Sequence, residues 1–232
     1  MEFKLKDSEI EIDFKVDRRL SRARLYRGSD GSVEVRSPTS LSKRSKISII
    51  NQIENGKIKL PPSPSSVQYP NAIYLPLLHQ IYSVAYRVTS GDTPRLEIRG
   101  NQIMVAAQSN HEVDRLLGGA LKKVARKPLT ELLRVLLLEN SQQLQKIRIG
   151  LPSGRWASRS SSGTISLSAR LILLEEELIR GVMLHEIAHI KHMNHSKDFY
   201  DHLEVIDPNY RQRRRSIKEE EASFSPWIRH LR

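Results

Sequence analysis

The chain contains no cysteine, which excludes disulfides and every thiolate-ligated metal centre and suits a reducing compartment. No run of about 18 apolar residues is present that could cross a bilayer. The opening stretch, MEFKLKDSEIEIDFKVDRRL, interleaves charges with single apolar side chains. It offers neither the apolar segment nor the small-residue cleavage site of a secretory signal. These absences set the expectation of a cytoplasmic protein with no membrane partner. Any metal it holds must be bound by histidine and carboxylate.

What is present is enough for a packed interior. At 232 residues and 38% apolar content, the chain can bury one large core or two small ones. Its net charge of +12 is compatible with polyanionic partners, nucleic acid among them.

Strand and helix signals alternate along the chain. Residues 1–37 read as strands, with a hairpin turn at Ser29-Asp30-Gly31-Ser32. Ile47, Ile50 and Ile53 recur at helical spacing and predict a short helix over 41–53. Four prolines between Pro61 and Pro70 admit neither helix nor central strand. The expected division is therefore an N-terminal β-hairpin and helix portion over 1–60, a proline-rich linker over 61–71, and a second domain over 72–232. In that second domain QIYSVAYRV and RLEIRGNQIMVAA alternate as strands, with Gly100-Asn101 at a hairpin turn. Ser109 to Glu112 reads as a capping box for a long helix that Pro128 should kink or interrupt. Three short strand candidates follow in LQKIRIG, GRWASRS and GTISLSARLI, then a helix from about Glu175 to Met193. No internal repeat is apparent.

Four of the eight histidines fall between His185 and His195. His185, Glu186 and His189 form H-E-x-x-H on a helical pattern, in which residues four apart share one face and can converge on one ion. Zinc in such a site acidifies a bound water to a pKa of about 7, and the adjacent glutamate can take the proton and pass it to a leaving amine. Leu178, Val182, Met183, Ala188 and Ile190 make the same segment apolar. A merely solvated histidine face does not explain imidazoles set among them.

A catalytic zinc takes three protein ligands and keeps one position open. His192 shares the helical face but stands about 10 Å along the axis from His185, too far to join readily. His195 lies beyond Asn194, a residue that tolerates the left-handed conformation in which helices end. A turn there would bring His195 back to the metal, which favours it as third ligand and leaves His192 a bystander. Glu204 and Glu219 to Glu221 read as solvated helix charges. Trp156 reads as a buried aromatic. Tyr200, His202 and Tyr210 remain open as donors to a developing oxyanion. The cluster Arg211, Arg213, Arg214 and Arg215 reads either as a phosphate contact or as a solvated face.

LHEIAHIKHMNHSKDFY resembles the signature of the YgjP-like metallopeptidases, which are related to SprT-like and WLM zinc peptidases. GRWASRSSSGTISLSARLILLEEELIRGVMLHE is similar to that family's upstream segment, DPNYRQRRR to its tail, and RARLYRGSDGSVEVRSP to its opening hairpin. The resemblance implies an α+β, minimal zincin-like fold, a small sheet packed on the H-E-x-x-H helix. It implies a zinc-dependent peptidase acting on protein or peptide, with zinc on His185, His189 and His195 and Glu186 as the base. The family's W-G-S-C reads Trp156-Ala157-Ser158-Arg159 here, so residues 157 and 159 depart from the pattern beside the expected cleft.

Overall fold

The computed structural model describes residues 3–4, 10–27, 32–60, 68–89, 93–143, 145–152 and 154–231. Two compact units result: Met1–Gln68 with Ser109–His111, and Tyr69–Gln108 with Glu112–Arg232. The expected turn residues Ser29 to Gly31 and most of the proline-rich stretch, 61–67, lie outside the described residues.

In the first unit, β1 (Phe3–Lys4), β2 (Glu11–Val16), β3 (Arg24–Arg27) and β4 (Val33–Ser37) form one sheet in the order β1-β2-β4-β3. The central pair β2 and β4 is parallel, and both outer pairs are antiparallel. Alternation in β4 buries Val33 and Val35, which pack with Ile12 and with Ile50 and Ile53 of α1 (Lys43–Glu54). That helix starts two residues later than its apolar spacing suggests, because Ser42 is the cap: its hydroxyl accepts the Ser45 N–H at 3.1 Å.

The second unit opens with β5 (Ala72–Leu75), β6 (Gln80–Val88), β7 (Arg95–Arg99) and β8 (Gln102–Ala107), ordered β5-β6-β8-β7. Here too the central pair is parallel and the outer pairs antiparallel. The strand plan of the first unit therefore recurs, a repeat that its side chains do not advertise. Gly100 has φ 55° at the first central position of the β7–β8 turn, which is why glycine stands there.

α2 (Asn110–Glu139) follows, its Glu112 carboxylate accepting the Gln108 N–H at 2.7 Å. The helix runs through Pro128 without the expected interruption. Leu121, Ala125, Leu129 and Leu133 are all buried on one stripe across that point, and their packing outweighs the lost backbone bond.

A three-stranded sheet completes the β structure. β9 (Lys146–Gly150), β10 (Ala157–Arg159) and β11 (Thr164–Ser168) lie in the order β10-β11-β9, with β10 antiparallel and β9 parallel to β11. A 3-10 turn over Ala169–Leu173 leads to α3 (Glu176–Ala188), α4 (Lys197–Ile206), α5 (Tyr210–Ser223) and α6 (Pro226–His230). The Arg170 guanidinium donates to the carbonyls of Pro152, Ile228 and Leu231, tying the last helix to this sheet. The architecture is α+β, with the small sheet packed on α3 through its edge strand β10. No helix among the described residues is long and apolar enough to cross a membrane.

Candidate metal centre

α3 carries the H-E-x-x-H segment. Glu176 and Glu177 occupy its first turn, where the helix dipole favours anions, and Ile179, Met183 and Ile187 bury one stripe. His185 and Glu186 line a cleft of about 430 Å³ with Val182, Trp156 and Ala157.

The helix stops five residues short of Met193. His189 is its cap, with right-handed φ −64° and ψ −13°. The Ile190 N–H then bonds the Ile187 carbonyl at 2.9 Å, and the His192 N–H bonds the Ala188 carbonyl at 3.2 Å. His192 lies beyond the end of the helix, with its ring 5.8 Å from that of His202, and Asn194 is not among the residues of positive φ. Local bonds and the Arg159 side chain make the turn in place of a left-handed residue. The His192 carbonyl lies 2.9 Å from His189 Nδ1. Arg159 Nη1 donates to the His189 carbonyl at 3.3 Å and touches Met193 Sδ at 2.8 Å.

This turn, with Ser196 capping α4, brings His195 back. His185, His189 and His195 each offer a ring nitrogen, and these atoms lie within 4.8 Å of one another. His185 Nε2 and His195 Nε2 are 3.1 Å apart. Two imidazole ligands about 2.0–2.1 Å from a tetrahedral metal ion stand about 3.3 Å apart, and this one pair comes close to that spacing. At His189 the Nδ1–H given to the His192 carbonyl leaves Nε2 with its lone pair free, the usual outer support of a ligating imidazole. His189 is buried, His185 half-buried and His195 exposed, so the cluster opens to solvent on one side.

Phe199, which sequence patterning did not single out, is fully buried beneath all three imidazoles. Its ring centroid is 5.0 Å from His185, 4.5 Å from His189 and 4.8 Å from His195. The signal available in the sequence was its position three residues after the Ser196 cap, on the first turn of α4.

Glu186 is 6% exposed, and its Oε2 has no hydrogen-bond partner. The backbone N–H of Arg159, on β10, bonds the carboxylate. Burial pushes the carboxyl up to about 7 against that bond and the charges of Arg155 and Arg159. A group in that range exchanges a proton near neutral pH. Burial, with the neighbouring imidazoles and Arg214, holds His185 down to about 4 and also depresses His195, so both rings favour the neutral form that binds a cation.

The remaining candidates separate. Trp156 is half-buried, not enclosed as expected: one side lines the cleft, and its ring meets Phe224 edge-on at 5.7 Å. Tyr200 and Tyr210 line the cleft, whereas His202 does not and instead faces His192. Glu204 pairs with Arg211 at 3.4 Å, away from the imidazoles. Arg213 is drawn inward, bonding Asp207 and, at 2.6 Å, Glu177. It crosses α3 at Gly181, where a Cβ would stand 2.9 Å from its side chain. Arg159 does not line the cleft; it acts on the turn after α3.

Three imidazoles beside a buried carboxylate suit a metal ion with a proton acceptor next to it. The family relation specifies the class: residues 21–220 match the YgjP-like family, described as YgjP-like, metallopeptidase domain, and the chain belongs to it. That assignment implies a metal ion. Among solved structures, the metallopeptidase zymogen abylysin of Pyrococcus abyssi is 28% identical, with 40% of this chain and 93% of that chain covered and a TM-score of 0.37. The zymogen jannalysin of Methanocaldococcus jannaschii is 23% identical, covering 40% and 95%, with a TM-score of 0.36. No curated protein matched the chain.

Proposed function

We propose that the protein is a zinc-dependent peptidase in which His185, His189 and His195 hold the ion and Glu186 is the general base. The observation that carries the reading is the convergence of three imidazole nitrogens next to a buried carboxylate with one unbonded oxygen. An all-imidazole donor set suits zinc, and the solvent-facing side of the cluster leaves room for a fourth ligand. Zinc held there supplies a Lewis acid that polarises the scissile carbonyl and acidifies water.

The chain's own residues do the rest. The Arg159 amide fixes one side of the Glu186 carboxylate. Oε2 is then free to take a proton from the water that attacks the carbonyl carbon. The same oxygen returns that proton to the amide nitrogen as the C–N bond breaks, so the group ends as it began. Among the described residues β10 pairs with β11 alone, and Ala157 on β10 lines the cleft. Its outer edge, where the Arg159 amide already meets Glu186, leaves the backbone at Ala157 for main-chain pairing with an extended protein or peptide substrate.

Glu186→Gln keeps the shape of the side chain and removes the base. Both proteins are expected to bind one zinc per chain, while the variant loses at least about 100-fold in peptide cleavage. Metal analysis alongside digestion of a peptide library checks this. Equal activity in the two proteins, or no zinc in either, would overturn the reading.

A further inference from the structure

The arginines of α5 do not act as one cluster. Arg213 is turned inward against Asp207 and Glu177, and Arg211 pairs with Glu204 and lies over the Tyr210 ring. Arg214, Arg215 and Lys218 are exposed and make no ion pair with described residues. Positions 211, 214, 215 and 218 fall at i, i+3, i+4 and i+7, so the cations form one stripe along the helix.

That stripe borders a recess of about 780 Å³ between α4 and α5, lined also by Lys197, Tyr200, Asp201 and Tyr210. Asp201 is its only acidic side chain, and it is paired with Lys197 at 2.5 Å. Tyr200, Tyr210 and Arg214 line both this recess and the cleft that holds His185, Glu186 and His195. The positive charge of Arg214 is felt at His185 and His195. The recess is therefore continuous with the candidate centre and differs from it in sign: the cleft walls are largely apolar, the extension cationic.

We propose that this extension is a substrate-selecting subsite that takes acidic side chains of a peptide, so that the protein prefers a run of aspartate and glutamate on one side of the bond lying in the cleft. The inference rests on the peptidase reading, and it adds the substrate's charge and the residues that choose it, Arg214, Arg215 and Lys218. A polyanion of any kind is attracted by such a stripe. Peptide is favoured over nucleic acid because the recess shares Tyr200, Tyr210 and Arg214 with the cleft, so a ligand held there lies next to the H-E-x-x-H carboxylate, and the family's chemistry is on peptides. Exposed cations of this kind chiefly set selectivity and encounter rate, and they are sensitive to salt.

The test separates binding from turnover. The zinc-loaded Glu186→Gln protein is titrated, with fluorescence anisotropy as readout, against three labelled probes: a ten-residue peptide rich in Asp and Glu, its Asn and Gln counterpart, and a single-stranded oligonucleotide. The acidic peptide is expected to bind at least about tenfold more tightly than its amide counterpart at low salt. Arg214→Glu, Arg215→Glu and Lys218→Glu combined should erase that difference. Lys123→Glu, Arg126→Glu and Arg134→Glu on the exposed face of α2 should preserve it, although the net charge changes equally. Equal affinity for the two peptides overturns the inference, as does an oligonucleotide that binds more tightly than the acidic peptide and depends on the same three cations. Library digestion by the wild-type protein reads the peptidase assignment separately. Cleavage without acidic preference sinks the subsite alone, and absence of cleavage sinks the peptidase reading.

Discussion

His195 and His192 stand three positions apart and meet the other histidines through different atoms. His195 brings a ring nitrogen to within 3.1 Å of His185 Nε2, while His192 contributes its backbone carbonyl to the ring of His189. His195→Ala should therefore lower zinc affinity by at least about 10–100-fold, and His192→Ala should barely change it. Competition titration against a chelator measures both. Arg159 is reached by a different path. Its side chain holds the His189 carbonyl and the Met193 sulfur, and its amide holds Glu186. Arg159→Ala removes only the side-chain bonds and should weaken zinc binding by about tenfold, the usual cost of losing outer support to a ligand. An unchanged affinity would mean that the turn after α3 stands without it. The H-E-x-x-H residues were legible because helical spacing alone fixes their geometry. Arg159 and Phe199 were not, since each acts through contacts made between elements distant in sequence.

At the scale of elements, several boundaries departed from the sequence pattern, and β5 and a third helix after Ser196 form where it signals neither. β6 covers QIYSVAYRV as expected, because period-2 alternation is a local property. α3 ends at Ala188 although apolar residues continue, because its last carbonyls are taken by a tight turn and by Arg159 from β10. In β4, Glu34 sits between Lys15 and Arg36, at 2.7 Å from each. Burial would raise its carboxyl, and the hydrogen bonds and charges of the two cations outweigh that and lower it. With the folded pKa below the unfolded one, this carboxylate stabilises the fold above the ordinary range near 4.3, and the contribution is lost as pH falls through the depressed value. Glu34→Gln should therefore flatten the acid limb of the unfolding curve without altering stability trends above about pH 5. Chemical denaturation at a series of pH values reads this directly.

For the molecule as a whole, the notable regularity is the repeated strand plan. β1 to β4 and β5 to β8 share one order and one set of directions, while their sequences share little beyond alternation. Hydrogen-bond pairing is blind to side-chain identity, so topology can recur where residues do not. That explains why no repeat was visible in the chain. The larger unit contains every residue of the candidate centre, and the smaller has a separate core around Ile12, Val33, Val35, Ile50 and Ile53. Val35→Ala, at a fully buried position, should cost about 1–3 kcal/mol in the smaller unit. Zinc stoichiometry should be unchanged. Calorimetry of the variant should show the loss in one transition, and a fall in bound zinc would contradict independent cores.

The oxygen that meets the His189 ring belongs to the main chain at position 192. A main-chain oxygen is carried by whatever amino acid stands there, so replacing the side chain leaves the orienting atom in place, and a substitution scan would score the position as indifferent. Backbone chemistry would not. Exchanging the amide between His192 and Met193 for an ester, by semisynthesis, weakens that oxygen as an acceptor and preserves every side chain. Zinc affinity should fall in the ester protein, measuring an atom whose role no genetic change of that residue reveals.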